Sequence, residues 1–331
     1  MTARIPVLVT GGAGFIGSHT CMALAEAGYL PVTFDNLSTG HADAALFGPL
    51  VVGDLRQTDA LETAIRAHDV QAVLHFAASA YVGESMQKPL EYYDNNVGGM
   101  LSLLEAVRRC GIDRLVFSSS CATYGVPETR PIVESMPQMP INPYGRTKLM
   151  GEQMLGDVAM ATGLRYAALR YFNAAGADPG GRLGERHTPE THLIPLALMA
   201  ASGQRQALSV FGNDYDTPDG TCIRDYIHVS DLARAHVLAL DHLMAGMPSI
   251  RVNLGSGEGH SILDIVREIE HFTGRPLPVR HEARRAGDPP VLTADPSLAE
   301  KILGFRTEKS GLPQIIGDAA PWFGIERHAV A

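Results

Sequence analysis

The stretch Ile5-Pro6-Val7-Leu8-Val9-Thr10-Gly11-Gly12-Ala13-Gly14-Phe15-Ile16-Gly17 constrains this chain more than any other. A short apolar run, β-branched in part, enters a glycine-rich turn. It leaves through Ser18 to Ala27, a segment of helical composition that stops at Gly28. Gly12, Gly14 and Gly17 satisfy GxGxxG, while Gly11, Gly14 and Gly17 satisfy GxxGxxG. Alone such a pattern is weak; between a strand and a helix it is strong. Its physical need is close approach of backbone to a pyrophosphate at a helix N-terminus, where free N–H groups and the dipole favour anions. The next strand, Pro31 to Phe34, ends in Asp35-Asn36. Asp35 lies about 20 residues past the last glycine, where an acid accepts from the adenosine ribose hydroxyls. A carboxylate there repels a 2′-phosphate and so favours NAD over NADP. An Asp that only caps the following turn would look the same in sequence.

More strand–helix units follow. Leu50 to Leu55 reads as a strand with Asp54 at its tip, and Leu61 to Ala67 as a helix. Ala72 to Ala78 is an apolar strand running into small residues. A long helix around Asn95 to Val107 ends at Gly111, and Arg114 to Phe117 is a buried strand ending in Ser118-Ser119-Ser120. A sixth strand, Leu164 to Tyr171, ends at Phe172-Asn173. Apolar, non-alternating strands separated by helices indicate an α/β fold with a doubly wound, Rossmann-type parallel sheet. In such sheets ligands gather at the C-terminal strand edges, where the glycine turn, Asp35, Asp54, Phe76 to Ala78, Ser118 to Ser120 and Asn173 all fall.

After Asn173 the character changes. Ala174 to Glu190 is rich in Gly and Pro and reads as a loop and domain crossing. His192 opens a helix through Ala201, Leu208 to Gly212 is a short strand, and Arg224 to Val229 is extended, with Ser230 capping the helix Asp231 to Leu240. Val252 to Gly257 is a strand and turn, Ile262 to Phe272 an amphipathic helix, and Arg284 to Pro290 irregular. The expected division is 1–173 for the dinucleotide domain and 174–331 for a smaller mixed α/β substrate domain, with segments near 225–257 packing back onto the first.

At 331 residues the chain can bury a sizeable core. A net charge of −9 argues against a nucleic-acid partner, which would normally meet a basic surplus. No run approaches the ~18 apolar residues of a membrane span, and MTARIPVLVTGGAGF does not read as a secretory leader. Cys21, Cys110, Cys121 and Cys222 are scattered without a CxxC pair, which suits a reducing cytoplasm and no metal.

Asn142-Pro143-Tyr144-Gly145-Arg146-Thr147-Lys148 opens another helix, with Asn142 as N-cap and Pro143 at the first position. Tyr144 and Lys148, four apart, share one face. A fixed ammonium nearby favours a phenolate; lowering the phenol pKa by ~3 units takes roughly 4 kcal/mol of differential stabilisation. On spacing alone the two are equally an ordinary surface pair. The serine cluster and the strand edges are what single them out.

These residues together resemble the extended short-chain dehydrogenase/reductases that act on nucleotide sugars. Along the whole chain, GGAGFIGSH, VGESMQKPLEYYDNN, FSSSCATYG, NPYGRTK, RYFNAAGA, NDYDTPDGTCIRDYIHV and RRAGDPP are similar, as an ordered set, to the UDP-glucose 4-epimerase branch of that family. The resemblance implies an isomerase that interconverts UDP-glucose and UDP-galactose with tightly held NAD, oxidising sugar carbon 4 transiently and returning hydride to either face. It implies Tyr144 as the base at the 4-hydroxyl, Lys148 as the group that lowers its pKa and holds the nicotinamide ribose, and Ser120 on the reacting oxygen. The NAD site would be lined by Gly11, Gly14, Phe15, Ile16, Gly17, Asp35, Asn36, Asp54, Leu55, Phe76, Ala77, Asn95, Ser118, Tyr171 and Phe172, with Tyr144 and Lys148. Asn173, His192, Leu193, Phe211, Arg224, Tyr226, Arg285, Asp288 and Leu292, with Ser120 and Tyr144, would contact the UDP-sugar. Arg224 and Arg285 would take the diphosphate and Asp288 the uridine ribose. A homodimer is implied too, through helices near Asn95–Val107 and Tyr144–Leu155.

Three positions depart from the family pattern. Ala80 stands where some relatives place a Lys against the cofactor. His192 stands where relatives place an Asn, and it reads as a surface or substrate-facing residue, not a metal ligand. Leu292 stands where the family has a pocket-narrowing Tyr or a smaller residue that admits N-acetylated sugars, so UDP-N-acetylhexosamines or UDP-pentoses stay open as substrates. A dehydratase or decarboxylase would need a carboxylate after the serines, where this chain has Cys121-Ala122-Thr123. A catalytically dead NAD-binding scaffold would have lost Tyr144 or Lys148.

Overall fold

The computed structural model describes residues 4–285 and 288–328, so Ala286 and Gly287 of the RRAGDPP stretch lie outside the described residues. Its strands in chain order are β1 (Pro6–Thr10), β2 (Leu30–Asp35), β3 (Leu50–Val52), β4 (Ala72–His75), β5 (Arg114–Ser120), β6 (Arg165–Tyr171), β7 (Asn173–Ala175), β8 (Leu208–Phe211), β9 (Ile223–His228), β10 (Ile250–Leu254), β11 (Gly259–Ser261), β12 (Val279–Glu282) and β13 (Val291–Leu292). Seven of them form one sheet in the order β10-β6-β5-β4-β1-β2-β3, and every neighbouring pair is parallel. β10 comes from late in the chain and pairs with β6 through Ile250 opposite Ala167 to Leu254 opposite Tyr171.

The sheet is buried on both faces, which is why its strands are apolar without alternation. Val7, Val9, Leu74, Val116 and Leu169 join Leu232 and Leu240 in one layer, while Leu8, Val73, Leu115 and Ala168 join Leu103 and Leu155 in the other. A third core holds the second domain, with Ile194, Leu198, Val210, Ile265 and Ile316 at its centre. There β9 is flanked by antiparallel β11 and parallel β13, and β7 pairs with it as well, while β12 and β8 form a parallel two-stranded sheet.

Local differences from the sequence reading have local causes. The first helix begins at Phe15, not Ser18, because the glycine turn passes straight into it. β3 stops at Val52, short of Asp54. Asn173 to Ala175 forms β7 at the start of the stretch taken as loop, since β9 offers it a partner. The helix Val229–Met244 is capped by His228, whose ring accepts from the Ser230 N–H; Ser230 is already inside the helix, and its buried hydroxyl has no partner. Tyr93–Gly98 is a π-helical turn ahead of the helix Gly99–Cys110, which ends at Gly111 in the left-handed region. Among the described residues no helix is long and apolar enough to cross a membrane, and all four cysteines are free.

Candidate active site

The helix Pro143–Thr162 starts where the sequence places it: the Asn142 side chain accepts from the Gly145 N–H at 2.8 Å, with Pro143 in the first turn. Its buried side includes Tyr144, Lys148, Gly151, Glu152 and Leu155, a stripe at helical spacing. A Cβ at Gly145 would lie 2.5 Å from the Ala122 carbonyl oxygen, so glycine lets the helix close onto the turn after β5. Tyr144 and Lys148 thus lie against the serine strand.

Tyr144 is buried, and that burial, with Tyr171 adding to it, pushes the phenol well above its usual range; the Ser120 hydroxyl pulls the other way. Lys148 Nζ donates to the Ser118 carbonyl at 2.8 Å and stands 5.1 Å over the Phe117 ring and 5.8 Å from the Tyr144 ring centroid. Burial lowers the lysine to about 7. Among the causes acting on the Tyr144 phenol, burial is the largest. The Lys148 amine is engaged with a backbone carbonyl. Ser118 Oγ donates to the Tyr171 hydroxyl at 3.1 Å, and Ser120 Oγ accepts from the Ala122 N–H at 3.1 Å.

Beneath this surface lies a network that the sequence reading did not assign. Arg170 on β6 and Glu152 on the Tyr144 helix form a buried ion pair, Nη2 to Oε2 at 2.6 Å and Nε to Oε1 at 2.9 Å. Ser119 Oγ donates to Glu152 at 2.6 Å, and Arg170 Nη1 donates to the Tyr124 hydroxyl, which donates in turn to Asn253 on β10. The helix is therefore fastened to β5, β6 and β10 through charge-assisted bonds. Glu152 falls eight residues after Tyr144 on the same face, the signal that could have found it.

On the glycine side, Gly11 has φ +73, and a Cβ there would meet the Ala77 nitrogen at 2.6 Å. Turn and β4 edge touch because no side chain intervenes. The helix Phe15–Glu26, which holds Ile16 and Gly17, starts at Gly14 with no side-chain cap and no acid in its first turn. Its first N–H groups are therefore open to an anion. Asp35 at the end of β2 accepts from the N–H groups of Ala13 at 3.0 Å and Leu37 at 2.8 Å, which fixes the acid against the turn. Asn36 reaches Asp54 at 3.4 Å, and Arg56 pairs with both Asp54 and Asp94. Arg56 holds the Asp54 carboxyl well below the usual range, and this arginine went unassigned in the sequence. Leu55 and Phe172 are buried, and Phe76 packs 4.7 Å from the His236 ring. The π-helical turn sets Asn95 near Ser79, and Asn96 bonds Ser79 and Thr147 Oγ1 on the Tyr144 helix. Uncapped helix, ribose-type acid and small-residue edge fit a dinucleotide. Ala80 is exposed.

The second domain faces the serine strand through β7 and β9. Asn173 Nδ2 donates to the Asp225 carbonyl at 2.8 Å beside buried Tyr226. Arg224 pairs with Asp288, so two residues expected on different parts of a ligand hold one another. The Arg224 guanidinium also lowers the Cys121 thiol, next to Ser120, although burial dominates and raises it to about 12. Arg285 stacks on Phe211 at 3.9 Å, and Leu292 packs with Tyr124, Phe172 and Ala294. Leu193 is the first residue of the helix Leu193–Ala201. His192 just before it has partners that were not expected: Glu185, His187 and Glu190 bring ligand-type atoms to its side. His187 and His192 stand at H-x₄-H spacing, within the range of zinc ligands, and that signal was present in the sequence.

Residues 7–255 match the family model described as NAD dependent epimerase/dehydratase. The chain is 51% identical over 316 residues to a UDP-glucose 4-epimerase of Rhizobium leguminosarum bv. trifolii, covering 96% of each. The crystal structure of UDP-glucose 4-epimerase from Brucella ovis in complex with NAD superposes with a TM-score of 0.96 at 59% identity, covering 98% of this chain and 100% of that one. The enzyme from Bifidobacterium longum in complex with NAD+ and UDP gives 0.90 at 38% identity, covering 96% and 97%.

Proposed function

The chain belongs to the NAD dependent epimerase/dehydratase family and, within it, to the UDP-glucose 4-epimerases; from that premise we propose that it interconverts UDP-glucose and UDP-galactose, with the Tyr144 hydroxyl as the proton-transfer group. The observation that carries this reading is the buried Tyr144–Lys148 face set against Ser118 to Ser120 at the sheet edge that also holds the glycine turn. NAD, when bound, supplies the hydride acceptor and a positively charged ring. Tyr144 takes the proton of the sugar 4-hydroxyl and later returns it, with Ser120 donating to the reacting oxygen. Because burial raises the phenol, Tyr144 acts as a base only when cofactor charge and Lys148 together offset that cost. Arg224 and Arg285 hold the diphosphate by charge-assisted bonds, Asp288 takes the uridine ribose, and the sugar is left free to turn. The four free cysteines support a reducing, cytoplasmic setting.

Purified protein given UDP-galactose without added NAD should form UDP-glucose, and Tyr144→Phe should lose turnover while keeping its bound NAD. No UDP-glucose even after NAD is supplied would overturn the activity, and near-normal turnover by the variant would overturn the base. UDP-N-acetylgalactosamine in the same assay tests whether Leu292 leaves room for an N-acetyl group. We also infer a homodimer through the helices Gly99–Cys110 and Pro143–Thr162, which expose Leu101 and Met150. Sedimentation should give twice the chain mass, and the monomer mass would refute it.

A further inference from the structure

Glu185, His187, Glu190 and His192 occupy the crossing segment just before the helix Leu193–Ala201, and one ligand-type atom of each lies within 4.8 Å of all the others. Around the cluster, Glu185 Oε1 stands 3.2 Å from His187 Nδ1 and 2.7 Å from His192 Nδ1. Glu190 Oε2 stands 3.5 Å from His187 Nδ1, and its Oε1 3.3 Å from His192 Nδ1. A tetrahedral ion with ligands at about 2.1 Å sets them roughly 3.4 Å apart. Three of the separations lie close to that edge, those of Glu190 through one oxygen each, and the Glu185–His192 contact is shorter.

Aligned hydrogen bonds account for only part of the convergence. Glu185 Oε1 and His187 Nδ1 are both buried and have no hydrogen-bond partner, although they approach closely. Glu185 is 6% exposed, and two imidazole nitrogens face its Oε1 without an aligned hydrogen bond, a costly arrangement for a buried carboxylate. Among the described residues no Lys or Arg pairs with Glu185 or Glu190; Arg186, between them in sequence, turns away to Asp43. The Glu190 carboxylate is already oriented by the N–H groups of Thr191 at 2.7 Å and His192 at 2.9 Å, the kind of outer support that metal-ligating carboxylates have.

We propose that Glu185, His187, Glu190 and His192 form a structural site for a divalent cation of the zinc type, two imidazoles and two carboxylates closing a neutral tetrahedron. Imidazole ligands select zinc and its transition-metal neighbours over magnesium and calcium. The ion clips the crossing segment to the dinucleotide domain. His187 lies edge-on to Phe15 at 6.4 Å and to Tyr81 at 5.9 Å, and the His41 ring meets the Arg186 carbonyl at 3.0 Å. The competing occupants are protons, since two imidazolium groups would also balance two carboxylates.

The holoenzyme, stripped with EDTA and desalted, is titrated with cobalt(II) and then zinc, with metal content measured by mass spectrometry. One equivalent per chain, the intense visible bands of tetrahedral cobalt and their loss on adding zinc are expected. Glu185→Gln and His187→Gln should each weaken zinc binding at least tenfold, while His271→Gln, on an exposed ring elsewhere, should not. If Glu185→Gln does not fold, His192→Asn at the exposed edge of the cluster carries the same expectation. Substoichiometric metal, an octahedral cobalt spectrum, or binding unchanged in the cluster variants would overturn the site and leave the protonated ion-pair reading.

Discussion

Two tight groups of charged side chains lie in this molecule, one buried and one running from buried Glu185 to exposed His192, and they are built differently. Glu152 and Arg170 meet in a bidentate pair, and Ser119, Gln138 and Tyr124 take up further hydrogen-bonding positions. Glu185, His187, Glu190 and His192 gather more loosely, and Glu185 Oε1 and His187 Nδ1 have no aligned hydrogen bond among the described residues. Donors point at acceptors in the first group; in the second, four ligand-type atoms gather within 4.8 Å of one another. The first is complete with protein atoms, and the second closes around a cation.

The strongest test of that contrast removes one partner from the complete group. Glu152→Ala leaves the Arg170 guanidinium buried without its carboxylate and should cost about 3–5 kcal/mol. Urea unfolding of the variant measures this. Adding Arg170→Met should recover much of the loss, because the unpaired charge goes with it. A loss under about 1 kcal/mol for Glu152→Ala would mean that water reaches the guanidinium, which ends the contrast.

Next comes the cation. Zinc at a hundredfold excess over its dissociation constant should add about 2.7 kcal/mol of stability relative to EDTA, read as a raised unfolding midpoint. For His187→Gln, with binding at least tenfold weaker, the same addition should give no more than about 1.4 kcal/mol. The effect that is smallest per unit of the variable changed concerns Lys148, a buried amine held by a carbonyl, with no carboxylate bonded to it among the described residues. Its folded pKa is lowered from 10.5 to about 7, so between these values the unfolded state binds the proton and the folded state does not. Stability should therefore rise with pH across that window, by at most about 1.4 kcal/mol per pH unit. Lys148→Met should flatten the slope, seen in unfolding midpoints from pH 7 to 10. An equal slope in both proteins would assign it to other groups.

What was legible in sequence was whatever depends on neighbours in the chain. The strand–glycine–helix start and the Asn142 cap follow from local rules; the first formed with a small shift of boundary and the second in place. Ser230 misled because Ser is a common cap, while the His228 ring sat two positions nearer the bend. The Arg170–Glu152 pair was hidden since it joins a strand to a helix 18 residues away, and neither residue announces burial. Lys148 was read by its distance from Tyr144 along a helix, whereas desolvation, set by the surrounding fold, controls both groups. The Glu185 to His192 cluster had its spacing on display, but an irregular segment gives no rule for where its side chains point.

Seating β10 beside β6 has a consequence for how the molecule is made. Residues 250–254 complete a sheet whose other strands are finished by residue 171. Until the late segment emerges from the ribosome, β6 is an edge with unpaired amides and carbonyls along an apolar strand, the sort of edge that recruits other chains. Asn253 adds to the dependence, since it fastens Tyr124 and Ile132 of the early half. The dinucleotide half therefore matures only with its sequence-distant strand in place, and a nascent chain must be shielded over that interval.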